Sequence, residues 1–202
     1  FAGLWVFEDA RISVNGTTDN KVIFRGDRRE PIFDDEPGQW DRIWINKGNQ
    51  DNFISNAIIR NALIGIQAEA YPFDEDGGQI TPNTLHIDKT EIIYSSSRGI
   101  FARNYKIEAN NVAIGPSGQY CVAISGGGEY RFNNCTLSNY WTFSSRETPA
   151  FAMINQYQIL DVVYTRPITN SYFINGIIDG SLVNEFQLEL DGINNDFTSS
   201  YT

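Results

Sequence analysis

One histidine, one methionine and two cysteines stand in a chain of 202 residues, and each scarcity closes a class of function. Cys121 and Cys135 are too few for a disulfide framework and lack zinc-ligand spacing. They read as small packing residues, in different columns of the repeat described below. His86, the one histidine, precedes an inward Ile87 and so faces outward as an ordinary surface residue. Basic residues are outnumbered, 15 Lys and Arg against 25 Asp and Glu, for a net charge of −10. That balance excludes a nucleic-acid partner, which requires a clustered basic face. No run of about 20 apolar residues is present, so the segment holds no transmembrane span. No stretch sustains a helical period across a dozen residues, which leaves strands as the regular structure.

What is present is a phrase said twice. Ala109-Asn110-Asn111-Val112-Ala113-Ile114 returns as Phe132-Asn133-Asn134-Cys135-Thr136-Leu137, a step of 23 residues from Asn111 to Asn134. Three further copies sit at Asn56-Ala57-Ile58-Ile59, Lys89-Thr90-Glu91-Ile92 and Asn175-Gly176-Ile177-Ile178. After the Asn position comes a small residue, and two further on an aliphatic one (Ile59, Ile92, Ile114, Leu137, Ile178). Strand side chains alternate faces, so these two positions point inward together and the residue between them points out. Asn56, Asn111, Asn134 and Asn175, with Lys89 as the exception, fall where the chain bends; Asn tolerates left-handed backbone there. Gly65-Ile66, Gly99-Ile100 and Cys121-Val122 define a second inward column.

Steps of 33, 22, 23 and 41 between successive Asn positions read as a coil of about 22 residues with inserted loops. The expected fold is all-β, a right-handed parallel β-helix solenoid whose four asparagines stack as a ladder, in one domain covering residues 1–202. Inserted loops are expected at about 26–39, 71–83 and 139–149, where proline, glycine and charge concentrate. The chain opens at Phe1 inside a strand and ends in a polar tail, so the β-helix is expected to be a piece of a longer one, cut at both ends.

Candidate sites are few. Asp34, Asp35, Glu36 and Asp41 gather hard oxygen ligands suited to Ca2+, the one cofactor considered, although interleaved arginines offer local ion pairing instead. Asp74-Glu75-Asp76-Gly77-Gly78 lacks the alternate spacing of a calcium loop and reads as a solvated turn. Trp40, Trp44, Tyr94, Tyr140, Trp141 and Phe143 are many flat rings for a repeat wall. Rings suit sugars or a protein partner, and the candidate binding set is Trp40, Trp44, Tyr140, Trp141 and Arg146. Against it stands ordinary packing, with Trp44 between Ile43 and Ile45. For an enzyme, Arg98, Arg103, Lys106, Arg131 and Arg146 are the possible bases, but no paired-carboxylate cluster accompanies them, so no catalytic residue is assigned.

Val22-Ile23-Phe24-Arg25-Gly26-Asp27-Arg28, Pro37-Gly38-Gln39-Trp40, Asn61-Ala62-Leu63-Ile64-Gly65-Ile66, Gly118-Gln119-Tyr120, Asn139-Tyr140-Trp141 and Arg146 to Pro149 together resemble the right-handed parallel β-helix surface lipoproteins of Bacteroidota, in order and over essentially the whole chain. Trp40-Asp41-Arg42 departs from the family's Trp followed by glycines. The resemblance implies export, an outer-membrane or cell-surface location and a lipid anchor upstream of this segment; it supplies no activity. The function expected is a non-catalytic exported surface module that binds a glycan or docks on another outer-membrane protein. The alternative is a lyase or hydrolase acting on an acidic polysaccharide.

Overall fold

The computed structural model describes residues 2–71, 78–192 and 194–200. Strands follow in the order β1 (Leu4–Val6), β2 (Ser13–Asn15), β3 (Val22–Phe24), β4 (Ile43–Asn46), β5 (Asn52–Ser55), β6 (Ala57–Arg60), β7 (Ile64–Glu69), β8 (Leu85–Asp88), β9 (Glu91–Ile93) and β10 (Arg98–Asn110). They continue as β11 (Ala113–Ile114), β12 (Tyr120–Asn133), β13 (Thr136–Asn139), β14 (Phe151–Ile154), β15 (Gln156–Ile159), β16 (Val162–Thr165), β17 (Ser171–Ile174), β18 (Ile177–Gly180), β19 (Phe186–Glu189) and β20 (Phe197–Ser200). A single 3-10 turn, Pro31–Phe33, interrupts the 26–39 loop.

The strands form two parallel sheets and one antiparallel pair. The larger sheet has 12 strands in two rows. Row one runs β1-β4-β7-β10-β12-β14-β19, and row two carries β2, β5, β8, the later parts of β10 and β12, then β17 and β20. The smaller sheet stacks β3, β6, β9, β11, β13 and β18. β15 and β16 pair antiparallel.

Register follows the apolar columns. Ile59, Ile92, Ile114, Leu137 and Ile178 are successive Cα partners, as are Ile66, Ile100 and Val122. Ile59, Ile92, Leu137, Ile66, Ile100 and Val122 are fully buried, each contributing roughly 1.5–3 kcal/mol. One core cluster extends from Val6 to Phe173. Two tyrosines lie inside it with satisfied hydroxyls. Tyr105 accepts from Asn83 Nδ2 at 2.8 Å and donates to the Asn46 carbonyl at 3.2 Å, and Tyr130 donates to the Gly127 carbonyl at 2.9 Å.

The solenoid expected from the sequence is not what forms. A β-helix of uniform coils of about 22 residues is corrected to two parallel sheets of 12 and 6 strands with an antiparallel hairpin beside them. The physical reason lies in β10 and β12. Each serves both rows of the larger sheet as one strand of 13 or 14 residues, with only a bulge at Arg103/Tyr105 between the part that pairs in row one and the part that pairs in row two. Pairing therefore resumes directly past the bulge, and the rows merge into one branched sheet. A period read from one asparagine column does not report that continuity.

The asparagines also behave differently from a stack of mutually bonded amides. Asn56, Asn111, Asn134 and Asn175 have φ of 50, 57, 53 and 52°, and Lys89 takes 46° in the same column. Their backbones make the left-handed bend, but their amides reach sideways: Asn111 Nδ2 donates to Asp88 at 3.1 Å and Asn175 Nδ2 to Asn133 at 3.0 Å. Asn133 in turn donates to Asn110 at 3.4 Å. The amide file thus involves the preceding column, Asp88, Asn110 and Asn133.

Candidate functional site

The outer face of row one places Trp5, Trp44, Gln67, Phe101, Ala123, Ala152 and Gln187 in one register line. Large side chains give way to two alanines along it, and a groove of about 430 Å³ opens over that step. Arg42, Gln67, Glu69, Arg98, Phe101, Arg103 and Tyr120 surround it above Ala123 and Ala152.

Most of the polar lining is mutually satisfied. Asp41 Oδ1 pairs with Arg42 Nε at 2.8 Å. Arg42 Nη1 donates to Gln67 Oε1, Gln67 Nε2 donates to Glu69 Oε2 at 2.6 Å, and Glu69 Oε1 pairs with Arg103 Nη1 at 3.2 Å. Gln67 and Glu69 are buried, and burying a carboxylate requires such partners.

Arg98 stands outside this chain of contacts. Among the described residues it has no carboxylate within salt-bridge distance, and its Nε is buried without a hydrogen-bond partner. Its guanidinium lies 5.2 Å from the Phe101 centroid and 5.9 Å from that of Tyr120. Arg103 approaches Phe101 to the same 5.2 Å and Tyr157 to 5.5 Å. Arginine and aromatic ring therefore alternate across the groove, Tyr120, Arg98, Phe101, Arg103, Tyr157, with each contact of the cation–π kind. Burial lowers the Arg98 pKa, with Tyr120 opposing and the charges of Arg103 and Arg42 adding to the decrease. Arginine stays protonated at neutral pH despite such a shift. The groove thus presents one cation without a carboxylate partner beside flat rings and a wall of ion-paired and hydrogen-bonded side chains.

The residues singled out from sequence are dispersed. Trp40 is half-buried against the core and donates from Nε1 to the Arg60 carbonyl at 2.8 Å. Trp44 meets Trp5 edge-on at 4.8 Å and Tyr71 at 5.7 Å, beside Gln67 in register, so it borders the groove line. Tyr140 is exposed, and its hydroxyl donates to Asp179 at 2.7 Å, a bond that raises its pKa. Trp141 is buried with Nε1 donating to Ser144 at 2.9 Å. Arg146 is a buried clamp, its side chain 1 % exposed and paired with Glu185 at 2.5 Å. None of these five lines the row-one groove.

Asp34, Asp35 and Asp41 pair with Arg25, Arg60 and Arg42 respectively, and the Glu36 carbonyl accepts from Gln39 and Asn61. No group of three metal-ligating side chains converges among the described residues. Asp74 to Gly77 lie outside the described residues. His86 sits on the outer face of row two, stacked on Phe53 with Nδ1 3.0 Å from Glu108. Both cysteines are buried and free. Among the described residues no helix is long and apolar enough to cross a membrane.

Sequence reading weighs Arg98 and Arg103 only as bases and passes over Phe101, Tyr120, Gln67 and Glu69. The signal is Arg98-Gly99-Ile100-Phe101-Ala102-Arg103, which brackets a ring with two cations and puts Phe101 and Arg103 on one strand face. Gln67 and Glu69 join them only through cross-strand register. No family model, curated protein or solved structure matches this chain.

Proposed function

We propose that this chain is a non-catalytic binding module of an exported surface protein, and that it holds a glycan in the row-one groove. One observation carries the reading: the Arg98 guanidinium, half-buried and without a carboxylate partner, lines a groove with Phe101 and Tyr120. Sugars offer hydroxyls to polar side chains and C–H faces to rings, so a mixed wall of this kind suits them better than it suits an apolar ligand. Export and a surface location rest on the resemblance drawn from sequence. The test is a glycan array followed by calorimetry with the full chain. Binding that weakens about tenfold or more in Phe101→Ala supports the groove, and binding unaffected by Phe101→Ala and Arg98→Ala moves the site elsewhere.

The alternative drawn from sequence is elimination on an acidic polysaccharide, for which Arg98 beside Tyr120 in the groove would be the group that meets a uronate carboxyl. Incubation of the full-length protein with uronate polymers decides between the two. Unsaturated products absorbing in the ultraviolet favour elimination; binding without products favours the module.

A further inference from the structure

The charge of the ligand follows from the same groove, and this inference rests on the glycan reading above. We infer that the groove takes one carboxylate of a sugar acid, a uronate unit carrying a single negative charge.

The contacts form an open-ended account of charge. Asp41, Arg42, Gln67, Glu69 and Arg103 make one connected run in which each cation has its own acid, Arg42 with Asp41 and Arg103 with Glu69. Arg98 is left over, with a charge of plus one and no acid. It cannot relieve itself by folding onto Glu69 without giving up its places over Phe101 and Tyr120, at 5.2 and 5.9 Å. Both oxygens of Glu69 are engaged, Oε1 by Arg103 and Oε2 by Gln67.

One anion therefore neutralises the site, and a second charge on the same group would meet Glu69. A dianionic phosphate ester is disfavoured for that reason. A carboxylate matches the guanidinium fork, which donates two parallel N–H bonds to its two oxygens. The sugar ring that bears it lies over Ala123 and Ala152, whose short side chains leave room, with Phe101 and Tyr120 at its sides. A charge-assisted contact of this kind makes the acid bind about tenfold to a hundredfold tighter than its neutral ester.

Titration calorimetry on the full chain tests this with a uronate disaccharide, its methyl ester, a disaccharide sulfate monoester and a sugar phosphate. The uronate should bind about tenfold to a hundredfold tighter than the methyl ester, and tighter than the dianionic phosphate. Arg98→Gln should bring uronate affinity down to that of the ester, and Arg98→Lys, which keeps the charge and loses the fork, should fall between; melting curves check that both variants are folded. Equal binding of acid and ester, or tightest binding of phosphate or sulfate, overturns the uronate assignment while leaving the glycan reading in place. Failure of every sugar to bind removes the glycan reading itself.

Discussion

Arg146 reaches Glu185 across 39 residues of chain and holds it at 2.5 Å, Nη2 to Oε1, with the arginine side chain 1 % exposed and the glutamate 9 %. The same guanidinium donates to the carbonyls of Asn139 and Thr148 and to Ser181 Oγ at 3.2 Å, while Glu185 accepts from the Ala150 and Leu182 amides at 2.7 Å. The pair ties the loop after β13 to the segment leading into β19.

Arg146→Met should therefore destabilise the fold by about 3–5 kcal/mol, because it leaves a buried carboxylate without its counter-charge. Urea denaturation measures the loss. The double variant Arg146→Met, Glu185→Leu should recover part of it.

Acid should act on the same pair. Burial raises the Glu185 pKa, but hydrogen bonds from Arg146, Leu182 and Ala150 and the arginine charge outweigh it, so the folded-state value is lowered. A lowered carboxyl pKa adds stability that is present above the unfolded value and is lost as pH falls through the folded one. Urea midpoints taken from neutral to acid pH should drop less steeply in Glu185→Gln than in the natural chain.

Gly128→Ala should be among the most damaging small substitutions. Gly128 has φ of 140°, and a Cβ there would lie 2.0 Å from the Tyr105 carbonyl oxygen, a backbone atom of the neighbouring strand. Strain and displacement together should cost more than about 3 kcal/mol. Gly192→Ala is the control, with φ of 80° but no atom closer than 4.0 Å, and should cost only about 1–2 kcal/mol.

Lys89 takes the left-handed bend that asparagine makes elsewhere in its column, with φ of 46° and an exposed side chain. Lys89→Asn or Lys89→Gly should raise stability by about 0.5–1 kcal/mol, read as a higher urea midpoint with an unchanged slope. The Lys89–Asp88 contact, 3.6 Å at the surface, offsets little of that gain.

Burial pushes the Cys121 thiol up to about 12 and the Cys135 thiol up to about 11. Thiolate is the reactive species, so neither should react with a disulfide reagent in the folded protein near pH 8, and two thiols should titrate in denaturant. Fast labelling without denaturant would show that the start of β12 or the bend that follows it opens readily.

Alternation made much of the strand content legible. Ile58 and Ile59 could be assigned to opposite faces because side chains on a strand have a period of two, and Asn111 and Asn134 could be assigned to bends because few residues tolerate a left-handed backbone. The groove was less legible. Phe101 and Arg103 are neighbours in sequence, but Gln67 and Glu69 reach them through pairing between β7 and β10, and Tyr157 through the hairpin packed beside β12. Arg146 misled for the opposite reason: an arginine in a polar loop reads as exposed, and only Glu185, 39 residues away, draws it inside.

The sequence by itself determined which residues turn inward, where the chain bends and that strands rather than helices carry the fold, because each depends on local geometry and period. Tertiary structure alone decided that β10 and β12 run unbroken through two rows, joining them into a branched parallel sheet. It also decided which arginine of the groove has no carboxylate partner. Both depend on hydrogen bonds and ion pairs between segments some 20 to 40 residues apart, as from Arg42 to Gln67, 25 residues on, and from Arg146 to Glu185, 39 residues on.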